Sequence, residues 1–152
     1  MNLFQALSVS ASGMSAQRQR ATTLVENLAN AETTRTPEGG PYRRKDVVFQ
    51  SESVQSPFSG IFQNELDLAS GRGEPVTGVG VSEVVEDTRD PDRRYMPGHP
   101  DADTQGYVAF PRVNPAEDMV DLMGASRNYS ANVAAMTAIK DMLNRSIDLV
   151  RG

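Results

Sequence analysis

Proline is confined to the middle of this chain. All nine prolines and nine of the twelve glycines lie between residues 37 and 115, whereas residues 1–36 and 116–152 contain no proline. Because proline removes a backbone donor and clashes with the preceding helical turn, only the two ends can form long uninterrupted helices. We therefore expect a mainly α fold with a small β-rich insertion. Its parts are an N-terminal coiled-coil helix (1–36), a Pro/Gly-rich extended arm with a small β region (37–115) and a C-terminal coiled-coil helix (116–152).

Apolar residues recur at alternating steps of three and four at both ends. Such heptad spacing is typical of helices that pair as a coiled coil, and a strict seven-residue period implies a left-handed supercoil. The pattern predicts that the two terminal helices pair with each other. The predicted helix seam, which is also the predicted assembly interface, consists of Phe4, Leu7, Met14, Val25, Leu28, Met119, Leu122, Tyr129, Val133, Met136, Leu143, Ile147 and Val150.

The positions beside this seam are almost free of charge. In a two-stranded coiled coil they are usually Glu and Lys, which pair across the interface. Here they include Ser15 and Leu24 in the first helix, and Ala125, Ser130 and Ile139 in the second. Uncharged flanks favour burial on more than one side, and two helices alone cover only part of each other's apolar surface. We therefore expect both helices to complete their packing against helices of neighbouring subunits.

The boundaries of the two helices carry their own signals. Asn114 can cap the second helix, Pro115 suits the first helical position, and Glu117 follows the cap by three residues, as in a capping box. The first helix is expected to fray at residues 33–34 and to stop before Pro37, because a residue that precedes proline is disfavoured in helical conformation.

The middle of the chain contains three strand candidates. Residues 42–55 are expected to be extended, residues 76–87 alternate valines as a half-buried strand does, and residues 106–110 form a third candidate. Residues 90–92 are read as a turn, and much of 50–75 as loop or extended arm. These segments predict a small sheet or hairpin without a sizeable core.

Few side chains here can carry catalysis or hold a cofactor. The chain has no cysteine, which excludes disulfides, thiolate zinc sites and cysteine nucleophiles. His99 is the only histidine, and with Asp101 and Asp103 it is the single candidate for a metal site or a catalytic base. Pro100 and the local turn favour an ordered polar loop instead. The glycines between residues 71 and 80 match neither a dinucleotide nor a phosphate-loop motif. We expect no enzyme activity, no cofactor, no metal and no small-molecule substrate.

The charge pattern excludes two further classes of partner. The net charge is +1 over residues 1–36, −5 over 37–115 and −1 over the remainder, so neither nucleic acid nor an anionic membrane surface is indicated. The basic run at residues 43–45 is followed by Asp46, which favours a solvated strand edge or an ion pair with a partner protein. The first charged residue is Arg18 and no apolar run approaches the length of a membrane span. We expect neither a cleaved signal peptide nor membrane insertion.

Several stretches of the chain are similar to motifs of one known family. The stretches ASGMSAQ and NLANA resemble the N-terminal motif of flagellar axial proteins, and TPEGGPYRRK, YMPGHPDAD and ASRNYSAN narrow the resemblance to the bacterial flagellar basal-body rod proteins. The residues that carry it are Gly13, Asn27, Asn30, Gly39, Gly40, Pro41, Tyr42, Gly98, His99, Pro100, Asp101, Ser126, Arg127, Tyr129 and Asn132.

This resemblance implies a structural subunit of the proximal rod, the drive shaft that transmits torque from the motor to the hook. The terminal helices of such a subunit form the wall of the channel through which later subunits are exported. The implied partners are other flagellar rod proteins, further copies of the chain, and basal-body ring and export-gate proteins. The implied location is the rod across the periplasm, reached by type III export without cleavage of a signal peptide.

Two other classes of protein remain open from the residues alone. One is another type III-exported protein, needle-like or interacting, that polymerises by helix pairing without a role in motility. The YMPGHPDAD stretch argues against it. The other is a hydrolase that uses His99 with Asp101 or Asp103.

Overall fold

Along the chain, one long helix comes first, four short strands follow, and a second long helix comes last. The computed structural model describes residues 3–53 and 77–151. Its elements are helix α1 (Leu3–Ala29), strands β1 (Lys45–Ser53), β2 (Thr77–Glu86), β3 (Asp92–Tyr95) and β4 (Tyr107–Phe110), and helix α2 (Pro115–Arg151). Helical ends around a middle with a few short strands confirm that part of the predicted fold. The pairing of the helices as a coiled coil stays a prediction.

Helix α1 ends earlier than expected. It stops at Ala29 instead of fraying at residues 33–34. The backbone N–H of Asn30 is shared between the carbonyls of Glu26 (3.1 Å) and Asn27 (3.2 Å). The Asn30 side-chain amide also donates to the Glu26 carbonyl at 2.9 Å. The Glu26 carbonyl thus accepts two hydrogen bonds, and tighter three-residue bonds, from Ala31 to Leu28 and from Thr33 to Asn30, follow the helix.

Helix α2 begins where the sequence predicts. The Asn114 Oδ1 accepts the backbone N–H of Ala116 at 3.2 Å, and Pro115 occupies the first helical position. Glu117 and Asp118 lie in the first turn, where carboxylates favour the positive end of the helix dipole. The cap predicted at Asn114 is confirmed.

The strands form two separate two-stranded sheets, β1 with β2 and β3 with β4. Strands β1, β2 and β4 fall within the three predicted segments, and β1 runs through Ser53, inside the extended segment predicted over residues 42–55. The rest of the predicted arm, residues 54–75, lies outside the described residues.

Strand β3 is the element that the sequence did not predict. It pairs antiparallel with β4 in a register that runs from Asp92↔Phe110 to Tyr95↔Tyr107. The turn predicted at residues 90–92 leads into this strand, and only its last residue, Asp92, belongs to β3. All four residues of β3 are exposed and carry no apolar alternation, so no strand is predicted there. Pairing with β4 forms the strand instead, helped by an edge-on contact of the Tyr95 and Tyr107 rings at 5.3 Å and by Arg94 over the Phe110 ring at 4.7 Å.

The chain divides into two compact units. The first contains residues 1–18, 49–82 and 127–152. Here Gly13 of α1 lies against the Asn132 side chain of α2, since a Cβ on Gly13 would be 3.0 Å from the Asn132 Nδ2. The hydroxyl of Ser12 accepts the backbone N–H of Val79 at 3.1 Å. The absence of a side chain at Gly13 lets the two helices approach.

The second unit contains residues 19–48 and 83–126. Its interior combines apolar side chains with three buried polar ones. Val108, which is 1% exposed, is the most buried residue of β4. The buried apolar side chains are Leu24, Tyr42, Val108, Phe110 and Ala125, and the buried polar ones are Thr23, Asn27 and Asp118. This core is small, as expected for the middle of the chain.

Candidate assembly site

Asn27 joins the end of α1 to the start of β1. Its side chain is fully buried, at 0% exposure. Its Nδ2 donates to the Lys45 carbonyl at 2.8 Å, and its Oδ1 accepts both the Lys45 backbone N–H at 2.9 Å and the Tyr42 hydroxyl at 2.9 Å. The carboxamide thus bonds both backbone groups of Lys45, as a neighbouring strand would, and leaves no buried amide atom unpaired.

The surroundings of the Tyr42 hydroxyl change its pKa. Burial raises the pKa of Tyr42 to about 12, and the nearby carboxylates of Glu26, Glu86 and Asp118 act in the same direction. Since the ordinary pKa is about 10, the neutral phenol is favoured in the folded state. Its contribution to stability is complete below pH 10 and is lost as the pH rises from 10 to 12.

We therefore expect the free energy of unfolding to fall between pH 10 and 12, and to fall less in the variant Tyr42→Phe. Screening by water at the edge of the cluster keeps the difference on the order of 1 to 2 kcal/mol. Urea unfolding of the parent and the variant at a series of pH values measures it. Parallel curves for the two proteins would show that the Tyr42 phenol is not responsible.

Arg44 and Asp118 form a buried ion pair between the start of β1 and the first turn of α2. The Arg44 Nη2 lies 2.9 Å from the Asp118 Oδ1, and Asp118 is 2% exposed. Burial opposes the charged form of Arg44, but Asp118 and Asp46 outweigh it and raise the pKa of Arg44 above its usual value. Within residues 3–53 and 77–151, the Asp118 Oδ2 has no hydrogen-bond partner. The hydrogen bond that Arg44 donates to the buried carboxylate therefore goes to its other oxygen, Oδ1.

Two of the three basic side chains at residues 43–45 form ion pairs within the chain. Arg44 pairs with Asp118, and the Lys45 Nζ lies 2.6 Å from Glu26 Oε1 on α1. The hydrogen bond to Glu26 is the main reason that the pKa of Lys45 is raised. The expectation of a solvated strand edge or a partner's ion pair is wrong for these two residues, because their acceptors lie on the helices on either side in sequence. Only Arg43 stays exposed.

The YMPGHPDAD stretch forms an ordered connection between β3 and β4. His99 Nδ1 accepts the backbone N–H of Asp101 at 3.2 Å. Asp103 Oδ1 accepts the N–H groups of Gln105 (2.8 Å) and Tyr107 (2.9 Å). The hydrogen bond from the Tyr107 backbone N–H is the main reason that the pKa of Asp103 is lowered. These side chains are used to shape the turn, as an ordered polar loop requires.

The same connection contacts the segment that follows α1. Asp101 Oδ2 accepts the Thr34 hydroxyl at 2.8 Å, and Asp101 Oδ1 lies 3.9 Å from the Arg35 guanidinium. Thr34 and Asp101, which lie 67 residues apart in sequence, therefore meet in one cleft. Gly39 and Gly40 line this cleft with φ angles of 91° and 81°, a conformation that favours glycine.

The structure separates the predicted seam residues into two groups. Leu7, Met14, Leu28, Leu122, Met136 and Leu143 are half-buried. Val25, Met119, Tyr129, Val133 and Ile147 are exposed. The side chains of Phe4 and Val150 lie outside the described part of the chain. Of the remaining motif residues, Gly98, Ser126 and Arg127 are exposed on the surface.

The buried stripe of α2 is displaced from the predicted seam. The most buried residues along this helix are Asp118, Ala125 and Ile139, two of which the sequence placed beside the seam. Exposed apolar side chains of α2 include Val120 and Met123 as well as the exposed seam residues. Exposed apolar patches are typical of protein interaction sites.

The described residues contain neither a metal site nor a membrane-spanning helix. No group of three or more His, Asp or Glu side chains there is arranged to hold a metal ion. Over the same ranges, neither helix has a stretch that is long and apolar enough to cross a membrane.

Comparison with known proteins agrees with the motifs. Residues 104–149 match the family described as "Flagellar basal body rod FlgEFG protein C-terminal". The chain is 43% identical to the flagellar basal-body rod protein FlgC of Bacillus subtilis, with 98% of this chain and 99% of that protein covered. It is 38% identical to FlgC of Borreliella burgdorferi, with full coverage of both. It is 36% identical to FlgC of an Escherichia coli strain, with 98% of each covered.

Proposed function

The chain belongs to the FlgC family of flagellar basal-body rod proteins, and we propose that it is a non-enzymatic structural subunit of the proximal rod. In this role it polymerises with its own copies and with other rod proteins through α1 and α2. The two helices build the wall of the export channel, and the assembled rod transmits torque as a drive shaft.

The observation that carries this proposal is the exposed apolar surface of α2. Met119, Met123, Tyr129, Val133 and Ile147 are all exposed in the single chain. Covering an apolar side chain is worth roughly 1.5 to 3 kcal/mol, so helices of neighbouring subunits gain substantially by packing there. We propose the whole predicted seam as the assembly interface, with its exposed members between subunits.

A subunit of the proximal rod also has expected partners, a location and a route of export. We propose contacts with basal-body ring and export-gate proteins, a location in the rod across the periplasm, and type III export without a cleaved signal peptide. A chain without cysteine passes between compartments of different redox state unchanged. A small core and marginal packing of the single subunit suit a protein that is exported unfolded.

Deletion of the gene from its host tests the proposal. We expect loss of swimming in soft agar and loss of rods from isolated basal bodies, both restored by the intact gene. The restored basal bodies should contain the protein when they are analysed by mass spectrometry. A deletion strain that still swims and still builds rods would contradict the proposed function.

A further inference from the structure

A small cavity rich in arginine lies beside the GGP turn. Its volume is about 110 Å³, and it is lined by residues 39–44, by residues 87–91 in part, and by Pro111 and Arg112. Four arginines and one carboxylate, that of Asp87, reach it. A concentration of positive charge is unexpected in a chain whose net charge is −5.

Two of the four arginines are already neutralised within the chain. Arg44 pairs with the buried Asp118. Arg89 grips Asp87, because its Nε lies 2.9 Å from both carboxylate oxygens and its Nη2 bonds Oδ2 as well. The side-chain bonds from Arg89 lower the pKa of Asp87 to about 2, so this carboxylate stays charged and committed to Arg89.

Neither of the other two guanidinium groups forms an ion pair within the described part of the chain, although Arg112 helps to lower the pKa of Asp87. Arg43 makes one bond, from Nη1 to the backbone carbonyl of Asp87 at 3.2 Å. Arg112 has no ion pair with any residue in the described part of the chain. Both line the cavity with exposed side chains. A guanidinium presents a planar fork of donors that matches a carboxylate, so the cavity is built for an acidic side chain.

We propose that Arg43 and Arg112 bind an Asp or Glu side chain of a second copy of this chain. The proposal rests on the proposed function and adds the chemistry of one subunit contact. Charge complementarity indicates the partner, since each copy carries 20 acidic against 15 basic side chains. Exposed carboxylates such as Glu83, Asp90 and Glu117 form no ion pair among the described residues.

The sign of the charge also decides which surfaces can meet in this contact. Two such cavities facing each other across a two-fold axis would place like charges together, which is unfavourable. The arginine cavity of one copy therefore meets an acidic surface elsewhere on the next copy. Unless a two-fold axis relates the two copies, a contact between different surfaces continues from subunit to subunit and forms a ring or an open helical assembly. The open helical assembly is the form that is compatible with a rod.

A photoreactive amino acid placed at position 88, between Asp87 and Arg89, tests the contact directly. Irradiation of isolated basal bodies should give a product of twice the subunit mass that contains only this chain. Its joined peptide should include an Asp or Glu from a second copy. A product joined to a different protein, or no product from basal bodies that contain the chain, would overturn the proposal.

Charge reversal gives the second arm. The double variant Arg43→Glu with Arg112→Glu should lower the number of complete basal bodies by about tenfold or more. Arg93→Glu, at an exposed arginine of β3 outside the cavity, makes the same kind of change and should assemble normally. Equal assembly of all three proteins would overturn the proposal and leave the proposed function standing, whereas absence of the parent chain from basal bodies would overturn both. The cross-linking arm keeps the native arginines, so it decides the question even if the double variant fails to fold.

Discussion

Replacing Val133 with aspartate should stop rod assembly and swimming while the purified chain keeps the stability of the parent. Val133 is 40% exposed in the single chain, so its carboxylate in the variant Val133→Asp stays in water when the chain folds alone. In the proposed rod the same position is covered by a neighbouring helix, where an unpaired charge costs several kcal/mol. Soft-agar motility, counts of basal bodies with rods, and urea unfolding of the purified variant measure these effects.

Ala135 provides the matched control two residues further along α2. It is also exposed, and residues two apart on a helix face away from each other. The variant Ala135→Asp should therefore assemble and swim. Charged substitution at Leu28 or Leu143 should also abolish assembly, but both residues are half-buried, so folding is affected as well. Normal motility of Val133→Asp would refute the role of the exposed surface.

The variant Asp118→Ala should destabilise the folded chain by about 3 to 5 kcal/mol, the usual cost of removing one partner of a buried ion pair. Among the described residues, the loss leaves the exposed carboxylate of Asp46 as the remaining ion-pair partner of the Arg44 guanidinium. Urea unfolding followed by circular dichroism measures the change. An effect below about 1 kcal/mol would contradict the structural role of the pair.

Two further variants separate charge from packing at this site. The pair Arg94–Asp92 lies at 3.3 Å with both side chains more than half exposed, so Asp92→Ala should cost less than about 1 kcal/mol. The double variant Arg44→Met with Asp118→Leu replaces both charges by apolar groups of similar size. It should recover most of the stability that Asp118→Ala loses, because no buried charge is then left unpaired.

Local chemistry made the helices and three of the strands predictable. The exclusion of proline and the Asn114-Pro115 cap act within a few residues, so α2 begins at Pro115 as expected. Strand β3 was missed because its residues have no apolar alternation and become a strand only through pairing with β4. Pro37 sets only an upper limit for the end of α1, and the helix stops earlier, at Ala29.

The contacts of the candidate site join residues that lie far apart in sequence, so the sequence pattern alone does not predict them. The motifs contain Asn27 and Tyr42, but their bond joins residues 15 apart, and the pair of Arg44 with Asp118 joins residues 74 apart. An aspartate in the first turn of α2 is typical of an exposed helix start, so its burial gave no local signal. The arginine cavity likewise brings together three segments separated by long stretches of chain.

The most direct test is an electron cryo-microscopy map of basal bodies isolated from the host. We expect this chain to occupy the proximal rod, with helices of neighbouring subunits covering Met119, Met123, Tyr129, Val133 and Ile147 of α2. A map that shows this surface of α2 open to solvent, or rods that lack the chain, would contradict it.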